Sequence, residues 1–163
     1  MNAFLHIGPE QTELRLEGDA SPAQTLWLAF GIRQMSLEIL RHHPPTPLEL
    51  EDAIAFLEDE VMRVHRGLAP SAGKPARILC GDETLRALMA PDRQAAGAPP
   101  VLTLGDVEHW FQRLSAVSLG RPLSQDPALD DPERLATLLI VRELLHHLPC
   151  LTEAPIVFSP PAS

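Results

Sequence analysis

Two histidine pairs have a spacing that suits metal binding. In each pair one histidine follows a glutamate by four residues, and this spacing places the carboxylate and that imidazole on one face of a helix. Imidazole and carboxylate are common zinc ligands, although neither pair has an evident third ligand. Each pair also precedes proline, at a predicted helix end where the negative end of the helix dipole favours a protonated histidine. We interpret both pairs as helix-terminal residues, with a metal site as the alternative. The groups are Glu38 with His42-His43 and Glu143 with His146-His147.

Carboxylates and cysteines carry weaker signals for catalysis. The clusters Glu49-x-Glu51-Asp52 and Glu58-Asp59-Glu60 lie on the polar side of a predicted helix, whereas a general acid or base needs a shifted pKa in a cleft. The sequence has no nucleophile elbow, Walker A motif or dinucleotide-binding glycine motif. Cys80 and Cys150 are too few for a disulfide framework and too far apart for a metal knuckle. Both are predicted to be buried or half-buried free thiols.

Composition and charge narrow the classes of function. The chain has 163 residues, 45% of them hydrophobic, which predicts a single domain over 1–158 and a frayed tail over 159–163. Its 22 acidic and 13 basic residues give a formal net charge of -9, which disfavours nucleic acid because Lys and Arg neutralise phosphates. No apolar stretch reaches the roughly 18 residues of a membrane helix, and the N-terminus does not resemble a signal peptide. We therefore expect a soluble cytoplasmic protein with no membrane or nucleic-acid partner.

The first half of the chain alternates between strand and helix patterns. Two strands are predicted on either side of a turn at Gly8-Pro9-Glu10-Gln11, and a third over 25–30, where Ser21-Pro22-Ala23-Gln24 is also compatible with a helix start. Helical spacing then runs from Gly31 to a stop at His42-His43-Pro44-Pro45. Thr46-Pro47-Leu48-Glu49 has the cap, proline and glutamate of a helix start, and an apolar stripe continues to Val64.

The second half repeats strand and helix signals. Residues 76–80 are predicted to form a strand that enters a short helix through Gly81-Asp82-Glu83-Thr84, followed by a flexible loop over 91–100. Helices are predicted over 103–118 and from Asp131-Pro132-Glu133 through Leu148, the second apolar on all sides and therefore buried. Residues 155–158 read as a last strand. This order predicts an α/β fold in which a hairpin and a third strand precede helices and one or two further strands.

Several segments match the motifs of one protein family in order. The segment His6-Ile7-Gly8-Pro9-Glu10-Gln11-Thr12-Glu13-Leu14 agrees at five of nine positions with a phosphate loop of sequence Asp-Ile-Gly-Gly-Gly-Ser-Thr-Glu-Leu. Residues 28–33 resemble the segment that follows that loop, and 78–84 resemble a second phosphate-binding turn containing Gly-Gly-Thr. Residues 102–114, 118–121 and 129–134 resemble the next helix, linker and helix start. The chain thus resembles the second half of the exopolyphosphatase and guanosine pentaphosphate phosphatase (Ppx/GppA) family, which implies an actin-like ATPase, ribonuclease-H-like half-domain.

Both phosphate loops implied by the resemblance carry substitutions that oppose phosphate. Glycines in such loops bring backbone N–H groups close to the anion. Here Pro9 lacks an N–H, Glu10 adds a negative charge, and Asp82 and Glu83 replace the glycines of the second loop, while His6 replaces a metal-holding aspartate. A carboxylate about 4 Å from a phosphate oxygen costs on the order of 1 to 4 kcal/mol, so we expect weak or absent phosphate binding. The resemblance implies vestigial phosphate-loop positions at Gly8, Thr12, Glu13, Gly81 and Thr84.

Three functions remain open on these grounds. The first is a catalytically inactive, stand-alone Ppx/GppA-like domain that needs no cofactor and serves as a binding or regulatory module. It would meet a protein partner or a second copy through the face left by the other half-domain. The second is a phosphatase acting on polyphosphate or (p)ppGpp-type nucleotides, with Glu13, Thr84, Mg²⁺ and a partner chain. The third is an unrelated α/β protein whose histidine pairs bind a metal. The family's catalytic glutamate lies in its first half, which favours the first function.

Overall fold

The strands form one six-stranded mixed sheet in a computed structural model that describes residues 1–18, 22–68, 73–88 and 100–158. The sheet order is β3-β2-β1-β4-β6-β5. β1 to β3 are antiparallel, β4 and β6 run parallel to β1, and β5 pairs antiparallel with β6. Because β1, β4 and β6 are parallel, their carboxyl ends lie at the same edge of the sheet. The strands are β1 (Asn2–Ile7), β2 (Thr12–Glu17), β3 (Gln24–Leu28), β4 (Ile78–Cys80), β5 (Val101–Leu102) and β6 (Ile156–Phe158).

The two faces of the sheet differ because side chains alternate along each strand. In β1, Ala3, Leu5 and Ile7 are buried on the helical side, whereas Phe4 is half-buried and His6 is exposed on the other. The same alternation holds in β2. One face of the sheet therefore belongs to the core, and the opposite face is open.

A helical layer covers the core face. α4 is central and contacts α1, α3, α2 and the segment before α1. Its residues 135–141 are all buried, which confirms the prediction of a helix enclosed on all sides. Reciprocal bonds between Thr46 and Glu49 and between Thr103 and Asp106 start α1 and α3, as the sequence predicts for α1. The helices are α1 (Pro47–His65), α2 (Glu83–Arg86), α3 (Leu104–Ser118) and α4 (Pro132–His147).

Three local predictions need correction. The helix expected from Gly31 to the histidine pair is a π-helix over Gln34–Ile39, and Leu40 already leaves helical geometry, so His42 and His43 lie beyond the helix. The third strand begins and ends one or two residues early, at Gln24–Leu28. The two-residue β5 carries no sequence signal of its own, so three strands follow α1 in the described segments and not the one or two predicted. Residues 91–99 of the loop predicted over 91–100, and the tail over 159–163, lie outside the described residues. Among the helices of the described segments, none is long and apolar enough to cross a bilayer.

Candidate functional site

The two predicted loops lie side by side at the edge where β1 and β4 end. Leu5 pairs with Cys80 in the parallel register, so the turn after Ile7 and the turn at Gly81 leave the same edge of the sheet. Carboxyl ends of parallel strands are the usual ligand position in open α/β sheets. A shallow cavity of about 280 Å³ lies on the open face, between β1 and β2, which flank the first loop, and Gly81 at the start of the second. Its lining residues are Phe4, Leu5, His6, Glu13, Arg15, Leu79, Cys80 and Gly81.

Backbone hydrogen bonds hold the first loop in place. The Gly8 N–H donates to the Gln11 carbonyl at 2.9 Å, which closes the turn between β1 and β2. The carbonyls of Gly8 and Pro9 accept the N–H groups of Ile32 and Arg33 at 3.0 and 2.9 Å. The loop's single glycine N–H is thus engaged, and Pro9 has none to offer.

Gly31 allows this close approach. A Cβ at position 31 would lie 2.4 Å from the Gly8 carbonyl oxygen and 2.5 Å from the Pro9 carbonyl carbon. Both are backbone atoms, so a side chain at position 31 would force the backbone of the first loop to shift. Gly31 was not predicted to be a site residue. The only sequence signal for it is its place in residues 28–33, the segment that follows the loop.

Thr12 faces the core. It is fully buried, and its hydroxyl donates to the Phe30 carbonyl at 3.0 Å. Register pairs Thr12 with Ile7, on the face of the sheet opposite the cavity. The hydroxyl therefore ties β2 to the segment after β3.

Acidic and basic groups surround the first loop. Glu10 forms an exposed salt bridge of 2.8 Å with Arg33, and exposed pairs of this kind contribute little stability. His6 and Glu13 are directly opposite each other in the β1–β2 register and both line the cavity. The cavity also contains Arg15, whose guanidinium lies 4.8 Å from the centre of the Phe4 ring. The first loop thus presents a carboxylate and an imidazole where the family resemblance implies a phosphate.

In the second loop, Asp82 uses its carboxylate to cap α2. Its Oδ1 accepts the Leu85 N–H at 2.8 Å and the Thr84 hydroxyl at 2.6 Å. The next residue, Glu83, pairs with Arg86 at 3.2 Å. An aspartate at the N-cap satisfies backbone donors that a helix start would otherwise offer to an anion. The Thr84 hydroxyl is engaged by the same carboxylate.

Cys80 contributes a neutral wall to the cavity. Burial raises the pKa of its thiol to about 12, and it outweighs the bond from the Asp82 N–H, which lowers the pKa, while the Asp82 charge adds a smaller increase. The thiol stays protonated near neutral pH and is a poor nucleophile. Cys80 is buried and Cys150 half-buried, both free, as the sequence predicts.

The histidine pairs bind carboxylates within the fold. His146 contacts Glu108 at 2.5 Å and His147 contacts Glu143 at 3.1 Å, at the end of α4 as predicted. In the other pair, the nearest glutamate is not Glu38. His42 contacts Glu49 at 2.8 Å, and His43 contacts Asp130 at 2.9 Å.

The described residues do not fit a metal. No group of three His, Cys, Asp or Glu side chains in the described segments is placed to hold one. Magnesium takes several oxygen ligands, and at the cavity Glu13 supplies a carboxylate while the Thr84 hydroxyl is bonded to Asp82. The described side chains therefore do not complete a Mg²⁺ coordination shell by themselves, and its other ligands would have to be water or phosphate oxygens.

Glu49 is buried, which corrects its assignment to a solvated face. One carboxylate oxygen accepts the N–H groups of Arg41 and His42 at 3.0 and 3.2 Å, and the other accepts the Thr46 N–H at 2.8 Å. Burial alone would raise its pKa, but the bonds from Thr46 and His42 outweigh it and lower the pKa to about 2. Glu49 thus fixes the chain between the π-helix and α1. The capping pattern predicts the bond between Glu49 and Thr46, but it does not predict that Glu49 also accepts the Arg41 N–H.

Comparisons with known proteins identify the fold. No protein-family model and no curated protein matches the sequence. Among solved structures, an Aquifex aeolicus member of the Ppx/GppA family is 20% identical, with a TM-score of 0.69 over 97% of this chain. An exopolyphosphatase-like protein is 17% identical over 97% of this chain with a TM-score of 0.69. A Cytophaga hutchinsonii exopolyphosphatase is 14% identical over 98% of this chain with a TM-score of 0.64.

The chain spans about half of each of these structures, namely 51%, 55% and 53% of their lengths. The match covers the sheet and the helices described above, so the alternative of an unrelated α/β fold is wrong. At these identities the likeness concerns the fold and not the chemistry. The protein therefore has the α/β, actin-like fold found in half of a Ppx/GppA structure.

Proposed function

We propose that this protein is a catalytically inactive Ppx/GppA-like domain that acts as a binding or regulatory module. The observation that carries the proposal is the use of both loops' polar groups within the fold. The Gly8 N–H bonds to Gln11, and the Thr12 hydroxyl bonds to Phe30. In the second loop, the Asp82 carboxylate accepts hydrogen bonds from the Leu85 N–H in the first turn of α2 and from the Thr84 hydroxyl. A phosphate group would find few free donors there.

Charge supports the same conclusion. Glu10 lies in the first loop, and Asp82 and Glu83 lie in the second. Glu13 lines the cavity beside them. Each carboxylate within about 4 Å of a phosphate oxygen opposes binding by on the order of 1 to 4 kcal/mol. The arginines near these carboxylates are already paired within the fold, Arg33 with Glu10, Arg86 with Glu83 and the cavity's Arg15 with Glu17. The loops are therefore unfavourable for polyphosphate and for nucleotide phosphates.

The alternative is a phosphatase of the Ppx/GppA type. It is favoured by the structural neighbours, whose names describe phosphatases and exopolyphosphatases. It is also favoured by the cavity, which brings Glu13 and Gly81 together. Under this alternative a ligand of polyphosphate or (p)ppGpp type would bind the wild-type chain with Mg²⁺.

Loop restoration distinguishes the two. The variant Pro9→Gly/Glu10→Gly/Asp82→Gly/Glu83→Gly removes three carboxylates, adds an N–H and frees the Thr84 hydroxyl. Replacing an N-cap aspartate by glycine costs only a few tenths of a kcal/mol, so the fold should persist. We expect isothermal titration of tripolyphosphate with Mg²⁺ to give no heat with wild type, and binding at about 1 mM or tighter with the variant.

The matched control neutralises three carboxylates elsewhere. Glu51→Gln/Glu58→Gln/Asp59→Asn lies on the exposed side of α1 and makes the same change in net charge. We expect it to behave like wild type. Binding by wild type would contradict the proposal. Equal gains in the control and in the loop variant would assign the effect to net charge and refute the role given to the loops.

A further inference from the structure

β3 is an outermost strand of the sheet, and nothing in its sequence shields its outer side. Proteins shield outermost strands by keeping them very short or by placing charged residues or proline in them. The strand at the other end of the sheet, β5, is shielded in the first way, because it has only two residues. β3 has five residues, none of them charged and none of them proline, and its Trp27 is 52% exposed. The sequence of β3 therefore leaves it open to pairing with another strand.

The hydrogen bonds of the sheet show which backbone groups of β3 point outwards. Successive residues of a strand direct their N–H and carbonyl groups to opposite neighbours. In β1, the Ala3 N–H donates at 3.0 Å to the carbonyl of Arg77, the residue before β4. Phe4 therefore directs its groups to β2, where it pairs with Arg15. Because Arg15 uses its groups towards β1, the adjacent Leu14 uses its own towards β3.

The same alternation continues into β3. Leu14 pairs with Leu26, so Leu26 directs its backbone groups inwards to β2. The residues on either side of it, Thr25 and Trp27, consequently direct their N–H and carbonyl groups away from the sheet. Within the described segments, no backbone hydrogen bond outside the sheet involves either residue. Both side chains are exposed on the open face. Each residue thus presents one donor and one acceptor on the outer side of β3.

We propose that β3 pairs antiparallel with β3 of a second copy of this chain, about a two-fold axis that passes beside Leu26. In this register Thr25 of each copy lies opposite Trp27 of the other. Each of these two residue pairs exchanges two N–H···O bonds, so every outward group of both residues is used. The register also places an aromatic side chain opposite a β-branched one on the open face, which is a favourable pair in sheets. The inference names the partner for the binding role proposed above and rests on that role.

Three features favour a second copy as the partner. The outer side of β3 is self-complementary, because a two-fold axis matches each donor of one copy with an acceptor of the other. The strand adds no charge of its own, so two chains of net charge -9 meet there without like charges directly opposite each other. The joined sheet then ends on both sides in the two-residue β5, so association stops at the dimer.

The length of β3 sets the strength expected. Stable interfaces use about 20 to 30 residues on each side, whereas β3 contributes five. The net charge of -9 also opposes association at long range, although about 0.15 M salt screens charges more than roughly 8 Å apart. The dimer should therefore be weak, with a dissociation constant of about 0.1 mM.

Analytical ultracentrifugation of the full chain in 0.15 M salt, from about 10 µM to about 1 mM, tests the proposal. We expect wild type to shift from monomer to dimer over this range. Thr25→Pro should weaken association at least about tenfold, because it removes an outward N–H from both residue pairs while the bonds to β2 remain. The control Thr25→Val keeps that N–H and a β-branched side chain, and it should dimerise like wild type. A monomeric wild type at the highest concentration, growth beyond the dimer, or equal association of the two variants would each overturn the proposal.

Amide hydrogen exchange tests the pairing in the wild-type chain and so does not depend on how well a variant folds. We expect the Thr25 and Trp27 amides to exchange several-fold more slowly at about 1 mM than at about 10 µM. The Leu26 amide, already bonded to β2, should change little and serves as the internal control. A dimer in which the Thr25 and Trp27 amides exchange at the dilute rate would overturn the proposal. None of these results depends on phosphate, so this inference and the catalytic inactivity fail separately.

Discussion

Glu49→Gln tests how the segment between the π-helix and α1 is held. The Glu49 carboxylate has only 11% of its side-chain surface exposed. Its Oε1 accepts the Arg41 N–H, the His42 N–H and the His42 Nδ1 bond, and its Oε2 accepts the Thr46 N–H and hydroxyl. A glutamine presents an NH₂ group to one of these sets of donors. The substitution therefore removes the charge and at least one pair of hydrogen bonds.

The lowered pKa gives the magnitude. A fall from 4.5 to about 2 corresponds to roughly 3 kcal/mol, and partial solvent exposure reduces this to about 2 to 3 kcal/mol. Because the folded pKa of Glu49 is depressed, this stability is present above pH 4.5. It is lost as the pH falls from about 4.5 to about 2, where the folded carboxylate takes up its proton.

Urea unfolding at pH 7 and at pH 3 measures the effect. We expect Glu49→Gln to lose about 2 to 3 kcal/mol at pH 7 and clearly less at pH 3. Glu51→Gln is the matched control, because it makes the same chemical change at an exposed position one half-turn along the same helix. A Glu49→Gln protein within about 0.5 kcal/mol of wild type at pH 7, or a loss that does not depend on pH, would refute the reasoning.

Three further substitutions probe the groups that hold the loops and the helices. Gly31→Ala should destabilise the protein by about 1 to 3 kcal/mol in urea unfolding, because its Cβ meets the first loop's backbone, whereas Gly81→Ala has no atom within 4 Å and should be neutral. Thr12→Val should cost about 1 to 3 kcal/mol in the same assay by leaving the buried Phe30 carbonyl unpaired, with no change in the response to tripolyphosphate. Asp126→Ala should lower the midpoint of thermal unfolding by several degrees, because it leaves Arg113 without its fully buried partner; a change below one degree would exclude a stabilising role for this pair.

Much of the fold is predictable because local signals agree with it. The alternation in residues 1–17 and the Gly8-Pro9 turn predict β1 and β2, and the Thr46 cap predicts the start of α1. The run Leu138-Leu139-Ile140-Val141 is apolar on all sides and predicts that α4 is enclosed, since a helix with one solvent-exposed face has polar residues along that face. The family motifs add the order in which the strands and helices follow one another.

The parts that local signals miss depend on contacts between distant segments. The π-helix over Gln34–Ile39 has the same apolar spacing as an α-helix, so periodicity does not distinguish them. Glu49 looks like one of many surface carboxylates until the chain folds Arg41 and His42 back onto it. The tightness at Gly31 likewise exists only once the first loop packs against the segment after β3. Sequence thus locates the two loops but not which of their groups are already bonded.

We propose that neither loop binds a phosphate ligand. Thermal unfolding of the wild-type chain with Mg²⁺ and, in turn, ATP, GTP, pppGpp and tripolyphosphate is the direct test of this proposal. A ligand at 100 times its dissociation constant adds about 2.7 kcal/mol, which raises the melting temperature by roughly 5 to 10 °C for a chain of this size. We predict superimposable curves with every ligand. A reproducible rise of several degrees with any one of them would contradict the claim and favour the phosphatase.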